Sequence, residues 1–151
     1  MLENYLNRPI SSSEQQQAKL LLQELLYLPL AIVQAAAYID TTGVTLQQYR
    51  SQLERQNKHT LEHSSDLEDK VQGHTTKNPV AITLFISIDE IRRSNALAAD
   101  YLFLAACVAQ KDIPLDVLEA NLPRKRENAV NVLSRYALVT RRPADSALDV
   151  H

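Results

Sequence analysis

Glycine and cysteine are scarce in this chain. Two glycines cannot build a Gly-rich loop that wraps phosphates. Cys107 is the one cysteine, so no internal disulfide can form and the chain suits a reducing compartment, the cytoplasm. Beside Ala105 and Ala106 it reads as a buried, inert thiol. An excess of one charge is also missing. Sixteen Lys and Arg against 18 Asp and Glu leave a net charge of -2, which gives no global case for nucleic acid or an anionic membrane. No apolar run reaches membrane-spanning length. The opening MLENYLNRPI lacks the basic and apolar regions of a signal peptide, and no repeat occurs at solenoid spacing.

What is present is a soluble composition with enough apolar content for a core, 45% hydrophobic and 23% charged. The 151 residues suit one ordinary domain or two small ones. The dominant stretch is Leu25 to Asp40, LLYLPLAIVQAAAYID. Pro29 has no N–H and disfavours α geometry at Leu28, so one helix ends near Tyr27 or Leu28. A second begins with Pro29 in its first turn. There Ile32, Ala35, Ala36 and Ile39 share one face, Leu30, Val33 and Ala37 cover much of the rest, and Gln34 is the main polar interruption. A helix apolar nearly all round is buried on most sides.

Ser11 to Glu14 is a capping-box pattern for the first helix, with Ala18, Leu21, Leu22 and Leu25 as its core stripe. Gly43 ends the second helix. Thr45 and Gln48 form another capping box before a third helix with Leu46, Tyr49 and Leu53 inward. Residues 57–77 are polar and read as a linker. Asn78-Pro79 restarts order. The run VAITLFISI alternates like a strand but also places Val80, Leu84, Ile88 and Ile91 on a helix face, and its N-P start and DEIRR ending favour helix. Asn95 caps a helix to about Val108, with Leu97, Tyr101, Leu104 and Val108 inward. Ile113 to Ala120 reads as a short helix, Arg124 to Tyr136 as another after Pro123. Leu138 to Arg141 and Ala147 to Val150 are β-prone around a Pro143-Ala144-Asp145 turn. Helices followed by a hairpin is the order of a winged helix.

LLQELLYLPLAIVQAAAYI resembles the LPLA segment of NB-ARC ATPases of the STAND class, and above all fungal members joined to tetratricopeptide repeats. The T-L-x-x-Y-x-x-x-L helix from Thr45 to Leu53, the NPVA-x-T-x-x-IS-x-x-x-IRR helix from Asn78 to Arg93, AADYLFLAACVAQKDIP and the closing LVTRRPADSALDVH follow in that family's order. The resemblance implies a mainly α fold: a small helical bundle (1–56), a polar linker (57–77) and a winged-helix-like subdomain (78–151) with a short C-terminal β-hairpin. It implies only the regulatory half of a signal-transduction switch, with the phosphate-loop core absent, so that the chain is no enzyme and holds no cofactor by itself. In the family the LPLA proline lies against the bound nucleotide, and a histidine in a methionine-histidine-aspartate motif reaches the ADP phosphate. Pro29 and His151 match these positions. Val150 stands for the methionine, and the chain ends before the aspartate, which fits a fragment or truncated product. ADP/ATP, a nucleotide-binding α/β domain, C-terminal helical repeats and self-association on activation are the implied ligands and partners of the full-length protein, with no membrane and no nucleic acid.

Three other features have blander readings. His59-Thr60-Leu61-Glu62-His63 spells H-x-x-E-H, and on a helix both histidines share a face, with Glu68 or Asp69 as an imagined third ligand. The surrounding stretch is polar and no catalytic domain accompanies it, so His59 and His63 read as solvated side chains rather than metal ligands. Arg124, Lys125 and Arg126 open a helix, where cations oppose the macrodipole and can attract an anion. With Arg135, Arg141 and Arg142 they would form the basic face of a winged-helix DNA-binding module, the alternative function, although a solvated cluster is favoured. A structural remnant without a ligand is the third reading.

Overall fold

The computed structural model of the chain describes residues 2–65, 78–108, 113–114, 123–142 and 147–150. The chain is mainly α and ends in an antiparallel hairpin, as the sequence implies. It divides into two compact units, Met1–Ile86 and Ser87–His151.

In the first unit, Leu2 of an N-terminal 3-10 turn (Leu2–Asn4) and Leu6 just after it are buried ahead of α1 (Gln15–Glu24), α2 (Pro29–Thr42) and α3 (Leu46–Ser65). Helices α1 and α2 both pack on α3. The expected stripes are the observed core: Ala18 and Leu21 from α1 with Leu25 at its C-cap, Ile32, Ala35, Ala36 and Ile39 from α2, Leu46, Tyr49 and Leu53 from α3. Leu22 is only half-buried. Gln34, the polar interruption, is fully buried as well. Tyr38 and Tyr49 join α2 to α3 with ring centroids 5.3 Å apart, tilted at 46°, a geometry aromatic rings prefer over face-to-face stacking. Burial pushes the Tyr49 hydroxyl pKa up, and the neighbouring Tyr38 adds to this.

Local chemistry sets the helix ends. Thr45 and Gln48 form a complete capping box: the Gln48 N–H donates to Thr45 Oγ1 at 3.2 Å and the Thr45 N–H to Gln48 Oε1 at 2.8 Å. At Ser11 only the reciprocal half forms. The Ser11 N–H donates to Glu14 Oε2 at 3.3 Å, while the serine hydroxyl turns to the same carboxylate at 2.9 Å. Arg8 clamps that carboxylate with bonds of 2.9 and 2.8 Å. The Arg8 hydrogen bond, then those from Ser11, hold the Glu14 carboxyl down at about 2. Gly43 closes α2 in the left-handed region, φ 72°, its N–H donating to the Ile39 carbonyl at 2.8 Å. Helix α3 continues to Ser65, past Asn57, where the sequence suggests a polar spacer.

Helix α4 (Pro79–Ser94) settles the ambiguous VAITLFISI run as helix. Asn78 Oδ1 accepts from the Ala81 N–H at 3.2 Å, the N-cap bond expected of asparagine. Its buried residues are Pro79, Ile82, Thr83, Ile86, Ser87 and Ile91. The face is thus rotated from the expected set: Val80, Leu84 and Ile88 are only half-buried. The division between the units falls within this helix.

In the second unit, Asn95 caps α5 (Ala96–Val108), its Oδ1 accepting from the Ala98 N–H at 3.0 Å. Helix α5 packs on α6 (Pro123–Arg135). A three-stranded antiparallel sheet in the order β1-β3-β2 completes the unit: β1 (Ile113–Pro114), β2 (Val139–Arg142) and β3 (Ala147–Val150). In the hairpin Val139 pairs with Val150 and Arg142 with Ala147. Across the other edge Ile113 pairs with Leu148. This corrects the helical reading at Ile113 and Pro114: two residues gain strand geometry from a partner more than thirty positions away, which no local pattern reports. Ala129, Val130, Leu133, Tyr136, Leu138, Val139 and Leu148 are the unit's buried set around α6 and the hairpin. Among the described residues no helix is long and apolar enough to cross a membrane.

Candidate functional site

The corner between α1 and α2 carries Pro29. Helix α1 ends in a Schellman arrangement: the Tyr27 N–H donates to the Leu22 carbonyl and the Leu26 N–H to the Gln23 carbonyl, both at 3.0 Å. That motif needs a left-handed residue, usually glycine. Here Leu26 (φ 52°) and Tyr27 (φ 55°) both adopt it, at about 1–2 kcal/mol per residue for a side chain with a Cβ. Leu28 then turns extended, φ -72° and ψ 120°, and Pro29 enters α2 at its first turn. Helix α6 ends the same way at Ala137 (φ 53°), with the Leu138 N–H on the Leu133 carbonyl at 3.1 Å.

The strained corner stays in place because its flanks are anchored. Leu25, Ala31 and Ile32 on either side are fully buried. Arg50 of α3 ties down the end of α1, its Nε 3.0 Å from Glu24 Oε1 and its Nη1 2.6 Å from Gln17 Oε1. Between these anchors five consecutive residues face solvent: Leu26 at 56%, Tyr27 at 49%, Leu28 at 37%, Pro29, and Leu30 at 42%. A contiguous apolar ledge of this kind marks an interaction surface. Apart from the Tyr27 hydroxyl the ledge is built of hydrocarbon, and what such a surface offers is packing. The proline is where the sequence places it. The exposure of Leu26, Tyr27 and Leu28 is not, because a run of leucines next to a buried helix reads as core.

The other residues singled out from the sequence lie apart from this corner in the chain. His151 is outside the described residues. His59 is exposed on α3, and His63 lies in the same helix with its side chain outside the described set. Among the described residues no cluster of His, Cys, Asp or Glu could hold a metal. Arg124 and Lys125 are exposed and Arg126 is half-buried in the first turn of α6. The rest of the supposed basic face is engaged: Arg141 pairs with Glu127 and Arg142 with Asp149 at 3.0 Å. Cys107, expected to be buried, is exposed. The cause is the orientation of α5, which buries Ala98, Tyr101 and Ala105 and so turns Cys107, Phe103 and Leu104 outward.

No protein-family model matches the chain, and no solved structure matches it significantly. Over 138 residues, 89% of the chain, it is 36% identical to a nucleotide-binding leucine-rich repeat (NLR)-like protein of Hyaloscypha variabilis. The chain spans 14% of that relative's length.

Proposed function

We propose that the chain is the regulatory segment of an NLR-type, nucleotide-dependent signalling switch, supplying ADP-sensing contacts and interdomain packing rather than catalysis. The observation that carries this reading is the ledge from Leu26 to Leu30. An apolar corner held in left-handed backbone and left open to solvent is matched to a surface outside this chain. The partner is a nucleotide-binding α/β domain, with Pro29 at its ADP and His151 reaching the phosphate, in a cytoplasmic protein that continues into helical repeats. The β1-β3-β2 sheet beside α5 and α6 supports a winged-helix subdomain for the second unit. ADP would favour the closed arrangement only by the difference between its affinities for the closed and open states.

The test is titration of the chain into the nucleotide-binding domain of the Hyaloscypha relative, loaded with ADP or with a non-hydrolysable ATP analogue. Tighter binding to the ADP form, weakened by Leu28→Asp and by Pro29→Ala, is the expected result. Equal binding to both forms, or ATP turnover by the chain alone, overturns the reading. A winged-helix DNA-binding role has support from exposed Arg124 and Lys125, but the pairing of Arg141 and Arg142 with carboxylates works against it. Duplex binding at low salt that disappears when Arg124 and Lys125 are neutralised would restore it.

A further inference from the structure

Helix α5 is apolar on every side, with Asp100 its only charged residue. Such a helix is normally enclosed. Here one side buries Ala98, Tyr101 and Ala105, while Phe103 is 74% exposed. The open side forms a groove of about 480 Å³ with α4, lined by Ile88, Arg92, Ala99, Asp100, Phe103 and Ala106, among others.

Two properties of this groove say what covers it. It carries one cation and one anion, Arg92 from α4 and Asp100 from α5, and neither has an ion-pair partner among the described residues. A partner of single charge would satisfy one and oppose the other. It also carries a knob and a recess together: Phe103 projects, while Ala99 and Ala106, seven residues apart on the same stripe, leave room beside it. A surface that bears both halves of each match is complementary to itself, and a two-fold axis is the operation that uses both at once.

We infer that the α4–α5 groove of the second unit is a homodimer interface that needs no nucleotide. Each copy's Phe103 enters the other's groove over the alanines, and each Arg92 meets the partner's Asp100. The proposed contact is one groove between two helices, so the dimer is weak and reversible.

Sedimentation equilibrium of the full chain across the micromolar range, without nucleotide, tests this. A monomer–dimer equilibrium is expected. Phe103→Asp should weaken it by about tenfold or more, as loss of a central aromatic does, with helicity by circular dichroism unchanged because the ring is exposed. Arg92→Asp and Asp100→Arg should each weaken it, and the double variant should recover it, since the swapped charges again face each other. A chain that stays monomeric, a dimer insensitive to Phe103→Asp, or a double variant no better than the singles overturns the inference. The ADP-sensing proposal is untouched by any of these results.

Discussion

Helices α2 and α5 have nearly the same character and opposite fates. Both are short, both are apolar almost all round, and both contain one residue that interrupts the run, Gln34 in α2 and Asp100 in α5. Helix α2 buries Ala31, Ile32, Gln34, Ala35, Ala36, Tyr38 and Ile39, leaving only its N-terminal end at the Leu26–Leu30 corner in the open. Among its described side chains helix α5 buries Ala98, Tyr101 and Ala105 and leaves a phenylalanine three-quarters exposed. Hydrophobicity says that a helix should be covered; it does not say whether the covering lies within the same chain. At α2 it does. At α5, and at the corner preceding α2, no such covering is present among the described residues, and those two places are where partners are to be sought.

Mutation should separate the two helices most clearly in the core. Ile32→Ala removes a fully buried side chain and is expected to cost ~2–5 kcal/mol in urea unfolding; a loss below 1 kcal/mol would mean α2 is less enclosed than its burial indicates. Thr45→Ala deletes one side of the α3 capping box and should cost ~1 kcal/mol, whereas Thr45→Gly should cost only a few tenths. Leu26→Gly relieves a left-handed leucine and should raise stability by up to ~1 kcal/mol, while weakening any partner that grips the ledge. A rise in stability with undiminished partner binding would show that the corner's apolar side chain is idle.

The clamp on Glu14 gives a pH-dependent version of the same measurement. Its carboxyl is held at about 2 in the folded chain, below its ordinary value of 4.5. The stability this supplies is fully present above about 4.5 and disappears as pH falls toward about 2. The gap in stability between the wild type and Glu14→Gln should therefore be constant near neutrality and close through that acidic window. The smallest effect is expected at α5: Phe103→Ser in the monomer should change stability by within ~0.5 kcal/mol, in contrast to Ile32→Ala.

Elements controlled by near neighbours were legible from the sequence. Thr45, Gln48, Asn78 and Asn95 cap the helices they were expected to cap because a cap is made within three residues. Gly43 ends α2 for the same reason: one residue without a Cβ permits the left-handed turn. Pro29 is legible as a helix start, and its part in a functional surface is legible only by resemblance. The early end of α1 was not legible, because Leu26 and Tyr27 carry no sign of the conformation they take. The Ile113–Pro114 strand was hidden because its partner, β3, lies far along the chain. The inward face of α5 is only partly legible: Tyr101 is buried and Leu104 is exposed, because, with every side apolar, neighbouring registers bury similar amounts of hydrocarbon.

The sequence by itself determined that this is a mainly helical chain, where most helices begin, and that an LPLA corner organises the first of its two units. Periodicity and capping act over a turn of helix, and a linear pattern contains them. Only the tertiary structure decided that the corner's leucines and tyrosine point outward and that Arg141 and Arg142 are spent on carboxylates. It also decided that α5 shows Phe103 to solvent. Which side of an apolar helix is covered depends on what packs against it, and that is a property of the assembled fold rather than of any stretch of residues.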